Sequence, residues 1–228
     1  MPMKGGDTDE YREIDRWDRG VGWIAYPEET MQRASHAVVG DDGGVWVVDP
    51  VDAPGLDDLL SEFGDVAGVV VGLDRHKRDA AAVATRHDAP VYVPQWMSGV
   101  ADSLEAPVER FGGELADSGF EAVRIRDSGI PPWQEVGLYH PEGGTLLVPE
   151  AVGTAAYFRA PGEPLGVHPK LRPVPPRREL SRFDPERVLV GHGAGVDTDA
   201  AAALDDALDN ARSNLPGAYG QALKQLLS

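Results

Sequence analysis

The 228-residue chain contains no cysteine. That excludes disulfides, a thiol nucleophile and any cysteine-ligated zinc or iron–sulfur centre. Positive charge is scarce too: 21 Lys and Arg stand against 38 Asp and Glu, a formal net charge of −17. Nucleic acids and anionic membranes reward lysine and arginine, so neither is expected as a partner. Long apolar runs are missing. The longest, Val66 to Leu73, is far short of the roughly 20 residues a membrane helix needs. Met1 to Gly20 is polar and charged, with no apolar core of a secretory signal. The sequence therefore predicts a soluble cytoplasmic protein, with a flexible acidic segment over residues 1–20 and a single domain over 21–228. It leaves a homo-oligomer open.

What is abundant is aspartate, 23 residues against 15 glutamates, while lysine falls to four beside 17 arginines. Short, dense carboxylates keep a surface hydrated when salt screens other interactions, and this balance resembles that of halophilic proteins. The remaining 42% hydrophobic residues suffice for a sizeable core.

Gly22–Tyr26, Ser35–Val39 and Val45–Val48 are rich in β-branched and aromatic residues and read as strands. Gly40-Asp41-Asp42-Gly43-Gly44 between the last two reads as a hairpin turn. Pro54 opens a helix through Phe63 with Leu56, Leu59, Leu60 and Phe63 on one stripe. Val66–Gly72 is a continuous apolar run, the pattern of a strand covered on both faces. A helix over Arg78–Arg86 and a strand at Pro90–Val93 follow, an order that implies parallel pairing with right-handed crossovers. Further strands are predicted at Val108–Phe111, Phe120–Ile125, Glu135–Tyr139, Gly144–Val148 and Arg187–Val190. Arg159–Arg182 carries six prolines and is expected to be a long ordered loop. Helices at Thr198–Arg212 and Ala218–Leu227 close a layered α/β architecture.

Several strand ends carry polar motifs in a telling order. They are Gly44-Val45-Trp46-Val47-Val48-Asp49-Pro50, then Asp74-Arg75-His76-Lys77-Arg78-Asp79 after the buried run, then Val148-Pro149-Glu150-Ala151, then Val190-Gly191-His192-Gly193. Together, from about Trp23 to Gly193, this set resembles the metallo-β-lactamase superfamily. The resemblance implies an αββα four-layer sandwich, with metal ligands on the loops after these strands. In that family the second motif reads T-H-x-H-x-D-H. Carried over singly, His76 and His192 keep the family's residue type, while Asp74 and Asp79 stand where histidines are usual. Arg78 replaces the aspartate that serves the second metal, and Glu150 replaces the bridging aspartate. No histidine lies near Ile130-Pro131, where another is usual.

These departures imply a divergent member without the standard binuclear zinc hydrolase site, serving as a small-ligand-binding, structural or regulatory protein. Arginine has five donors and no acceptor, so Arg78 cannot ligate a cation. It is expected to neutralise the carboxylates in place of metal, leaving no cofactor. The alternative is a mononuclear hydrolase of an ester, thioester, lactone or phosphodiester. There Asp74, His76, Asp79, Glu150 and His192 would hold one divalent ion such as manganese, iron or zinc.

Other cues are thinner. The segment Gly191–Gly195 lacks the glycine that a dinucleotide loop needs where Val196 stands. There is no G-x-S-x-G elbow and no H-E-x-x-H. Ser35 and His36, adjacent on a strand, point to opposite faces. Arg159, Lys170, Arg172, Arg177, Arg178 and Arg182 cluster in the proline-rich loop, either to draw a small anionic ligand over a pocket or to pair with the acidic body. The halophilic reading predicts loss of fold in dilute buffer. Far-UV circular dichroism at 0.05 and 2 M KCl, concentrations chosen on the order of the screening range, checks it, and an unchanged spectrum and solubility would overturn it.

Overall fold

The computed structural model describes residues 10–227. The first half of the chain builds β1 (Arg12–Trp17), β2 (Gly20–Ile24), β3 (Ala34–Val39), β4 (Val45–Val48), α1 (Leu56–Ser61), β5 (Val66–Val70), α2 (Ala80–Arg86), β6 (Val91–Pro94), α3 (Ser98–Ala101) and β7 (Val108–Phe111). The second half builds β8 (Glu121–Gly129), β9 (Pro132–His140), β10 (Thr145–Val148), β11 (Val152–Gly153), β12 (Gly166–Val167), α4 (Arg177–Leu180), β13 (Arg187–Val190), α5 (Ala200–Asp209) and α6 (Leu215–Leu227).

Among the described residues, seven strands form one sheet in the order β1 to β7, and β13-β10-β9-β8 form a second. The β3–β4 turn closes as its glycines require: Gly43 sits at φ +79 and donates to the Gly40 carbonyl at 3.1 Å. From β4 onward the first sheet is parallel through β7, with α1 and α2 as crossovers. Parallel strands are covered on both faces, which is why β4 reads Val-Trp-Val-Val without alternation and is buried throughout.

Alternation in the second sheet sorts its two faces. Val136, Leu138, Leu147 and Leu189 join the core against the first sheet. Leu146, Val148, Val188 and Val190 point the other way and pack with Leu204 and Leu208 of α5. The layers are therefore helices, sheet, sheet, helices: an αββα sandwich. No helix among the described residues is long and apolar enough to cross a membrane.

Several segments differ from expectation, among them a short helix, α4, inside the proline-rich segment expected to be a loop. The N-terminal segment, expected to be flexible over residues 1–20, contributes β1, because the first sheet offers β2 as an antiparallel neighbour; residues 1–9 lie outside the described residues. β8 and β9 run four and three residues past their predicted ends to meet in a hairpin whose last pairs are Ser128–Trp133 and Gly129–Pro132. Pro132 is tolerated because it sits at a strand's first residue. α6 begins at Leu215 rather than after Pro216-Gly217, since proline is well placed in the first helical turn.

The proline-rich loop is tied down from within. Arg172, wholly buried, donates to both oxygens of Glu163 (3.0 and 2.5 Å) and to the Phe158 and Val167 carbonyls (2.8 and 3.1 Å). Asn214, immediately before α6, donates to the same carboxylate at 2.9 Å. Arg177 pairs with Asp209 of α5 and so serves the acidic body, whereas the ion pair of Arg172 stays within the loop. Burial pushes the Glu163 carboxyl up, but the Arg172 hydrogen bonds and the Ala160 N–H hold it below its usual value. A depressed carboxyl adds stability above its unfolded pKa that is lost as pH falls through the folded one. Arg172→Met strands the buried carboxylate. It should cost about 3–5 kcal/mol in urea unfolding at neutral pH and raise the acid-unfolding midpoint; an unmoved midpoint would refute the pairing.

Candidate metal centre

The first sheet delivers His76 on the turn after β5, where its N–H donates to the Leu73 carbonyl at 2.9 Å. The second sheet delivers Glu150 after β10 and His192 after β13. Those strands are parallel neighbours with Val148 opposite Val190, so Glu150 and His192 emerge two residues later side by side. Gly191 makes this approach possible: a Cβ there would lie 2.2 Å from the Pro149 carbonyl oxygen. The ends of parallel strands are where α/β sheets usually place ligands.

His76 Nε2 lies 3.0 Å and His192 Nε2 3.2 Å from the same Glu150 oxygen, Oε2. One atom from each of the three residues falls within 4.8 Å of the others, and all three residues are buried. The opposite ring nitrogens face acceptors as well, which orient the rings. His76 Nδ1 is 2.9 Å from Asp49 Oδ2, and His192 Nδ1 is 2.9 Å from the Met31 carbonyl. Carboxylate and carbonyl oxygens only accept, so each ring has an acceptor at both nitrogens, and with Nδ1 donating a cation would stand between Nε2 and Glu150. His168 is the reverse case: its Nδ1 accepts from the Lys170 N–H at 3.1 Å, which puts its proton on Nε2.

Two imidazole nitrogens and a carboxylate oxygen thus converge on one point, which a proton or a metal cation can bridge. Burial pulls His192 below the usual imidazole value, against a proton on its second nitrogen, although Glu150 opposes that shift. Burial would raise Glu150, but His192 and His76 hold it well below the carboxylate range. Two imidazoles and one carboxylate fit a single divalent ion with positions left for water or substrate. The outer partners fit as well, since ligating histidines ordinarily donate their other N–H to a carboxylate or carbonyl.

Of the six residues singled out in the sequence, His76, Glu150 and His192 come together. Asp74 turns to β9, where it accepts from the Gln134 N–H at 3.1 Å and pairs with Arg75 at 3.2 Å. Asp79, at the start of α2, accepts from the Asp52 N–H at 2.8 Å. Neither is part of the His76–Glu150–His192 cluster. Arg78 lines the cleft, but the carboxylate pairing expected of it is not what it makes. Its Nη1 donates to the Ala34 and Asp49 carbonyls (2.6 and 2.7 Å) and its Nη2 to Gly191 (3.2 Å). Burial lowers its pKa, with Asp49 pushing back. The residue sits at φ +41, a left-handed conformation uncommon outside glycine, and it straps β3 and β4 of one sheet to the end of β13 in the other. Arg75 is the arginine that approaches Glu150, with Nη2 3.4 Å from Oε1.

Sequence reasoning missed several members of the site. Asp49 was visible as the polar end of an apolar strand. Glu135 was visible as a carboxylate inside a buried strand. It accepts from the Glu150 and Ala151 N–H groups, both at 2.7 Å, and from Trp133 Nε1 at 2.7 Å, so it sets the backbone of the Glu150 loop. Burial pushes its pKa up to about 7 against those bonds. His168 had no signal, because only the folded loop brings it to the cleft. There burial lowers its pKa to about 4. Trp133 packs behind the cleft with its ring edge-on to His168.

No protein-family model and no curated protein sequence matches the chain. Solved structures do. The metallo-β-lactamase DIM-1, exposed to ceftazidime, superposes with a TM-score of 0.62 at 15% identity, over 90% of this chain and 100% of that one. A putative diflavin flavoprotein A 5 fragment from Nostoc sp. PCC 7120 gives 0.62 at 13% over 90% and 98%. TTHA1623 in a di-iron-bound form gives 0.56 at 20% over 78% and 94%. The chain has the metallo-β-lactamase fold.

The strap of Arg78 yields a test. Arg78→Ala removes three hydrogen bonds, although the Asp49 carbonyl keeps Ser35 Oγ and the Gly191 carbonyl keeps the Ala34 N–H, and should destabilise by about 1–3 kcal/mol. Arg78→Lys should recover only part of this, since a compact ammonium cannot fork across three acceptors. Full recovery in thermal and urea unfolding would show that charge alone suffices.

Proposed function

We propose that this protein is a mononuclear metal-dependent hydrolase on a metallo-β-lactamase fold. One divalent ion, zinc, iron(II) or manganese, is held by His76, Glu150 and His192. The observation that carries this reading is the convergence of two Nε2 atoms and a carboxylate oxygen on one point, with an acceptor at each Nδ1 to orient the ring. When bound, the ion supplies activated water and polarises an acyl or phosphoryl oxygen.

The chain's residues do the rest. Asp49 and the Met31 carbonyl hold the two imidazoles in register. Glu135 fixes the loop that presents Glu150. Phe158 stacks on His192 at 5.2 Å between ring centroids and shields that side of the cluster from water. Arg78 stands where the resembled family carries the aspartate of its second ion, so a permanent organic cation takes that place and the binuclear site is given up. Esters, thioesters, lactones and phosphodiesters all remain within the chemistry of such a centre.

The second reading is a metal-free cleft that binds a small ligand or serves a structural or regulatory role. The approach of Arg75 to Glu150 favours it, since a guanidinium can neutralise a carboxylate without metal. Elemental analysis of protein purified without chelator or metal-affinity resin separates the two. The hydrolase reading expects about one ion per chain, falling roughly tenfold or more in His76→Ala and His192→Ala as first ligands are lost. Metal content near zero, with no hydrolysis on adding zinc, iron(II) or manganese, would establish the metal-free cleft instead.

A further inference from the structure

The cluster opens into a cleft of about 420 Å³ whose charge opposes that of the protein. Within a chain of net charge −17, its described wall carries Arg33, Arg75 and Arg78, and Glu150 is its one carboxylate. Two of these cations are committed. Arg33 Nε bridges both oxygens of Glu29 (3.0 and 3.1 Å), and Arg78 is spent on carbonyls.

Arg75 gives Nη1 to Asp74 at 3.2 Å but keeps Nη2 toward the cleft, where it stands beside His168. The Lys170 N–H occupies His168 Nδ1, so Nε2–H is a fixed donor in the cleft wall, on a residue only 5% exposed. It lies 3.5 Å from Glu150 Oε1, and Arg75 Nη2 lies 3.4 Å from the same atom. Both distances exceed the 2.7–2.9 Å or so of a working charged hydrogen bond. Two donors therefore point at one place and are not satisfied there. Their positions are fixed by packing. The Arg75 guanidinium lies over the Trp133 ring at 4.1 Å, and His168 is boxed edge-on by Trp133, Tyr157 and Phe158. The tautomer that gives His168 its donor also removes it from the ligand set, because a protonated Nε2 cannot coordinate.

We propose that Arg75 and His168 form an oxyanion cradle beside Glu150, and that the cleft selects an ester bearing a phosphate or carboxylate group seated on these two donors. This deepens the hydrolase reading and rests on it for the word ester. The cradle itself needs no metal, so its binding is measurable whether or not an ion is present.

The probe is inorganic phosphate, titrated by calorimetry into the full-length protein, chelator-stripped and zinc-reloaded. Wild type binds it saturably in both states. Arg75→Gln, at an exposed side chain whose loss leaves the core intact, weakens phosphate about tenfold, as loss of a charge-assisted bond implies. His168→Phe keeps the aromatic box, loses the donor and does the same; His168→Gln, which retains an N–H, recovers part of the affinity. Zinc affinity does not fall in any of them. Bis(4-nitrophenyl) phosphate and succinate compete with phosphate and identify which source of oxyanion is preferred, whereas 4-nitrophenyl acetate does not compete. Phosphate affinity unchanged in Arg75→Gln and His168→Phe, no saturable binding at all, or a matching loss of zinc affinity would each overturn the cradle. The last outcome would make the pair supports for Glu150. Phosphate binding without any zinc uptake sinks the hydrolase reading and leaves the cradle standing.

Discussion

Because Val148 stands opposite Val190, the chain leaves β10 and β13 with Glu150 and His192 already adjacent, and Gly191 lets the two backbones stay that close. The other elements of the site are arranged around that pairing. The turn after β5 brings His76 from the facing sheet to the same carboxylate oxygen, and Arg78 binds carbonyls on both sheets just beyond it. A parallel register is a rigid determinant: slipping one strand by a residue would turn one of the two side chains to the opposite face of the sheet from the other.

The site separates its histidines by what each Nδ1 touches. His76 and His192 have an acceptor at Nδ1 and turn Nε2 to Glu150, whereas a backbone N–H at Nδ1 makes His168 a proton donor at Nε2. The side chains are chemically identical, and their division of labour is written in their partners. Arginine shows the same logic. Arg172, Arg78 and Arg75 respectively hold a loop, hold two sheets together and face the cleft, according to whether carboxylates, carbonyls or an aromatic ring surround them.

Much of the fold was legible because its signals are local. The continuous apolar run of β5, the glycine turn before β4 and the leucine stripe of α1 each depend on residues a few positions apart, and their order implied parallel pairing. β1 was not legible, since Arg-Glu-Ile-Asp-Arg-Trp has no apolar alternation and becomes a strand only because β2 presents an open edge. The ends of β8 and β9 were hidden by prolines that a hairpin tip tolerates.

By itself the sequence determined the αββα order of elements and the chain positions of His76, Glu150 and His192, because strand-end motifs keep their order whatever the packing. Only the tertiary structure decided which polar groups share a site. It turned Asp74 and Asp79 away, spent Arg78 on backbone carbonyls, and brought in Asp49, Glu135 and His168. The reason is physical: hydrogen-bond partners and tautomers are set by neighbours up to 161 positions distant, as for His192 and Met31, and no local pattern encodes them.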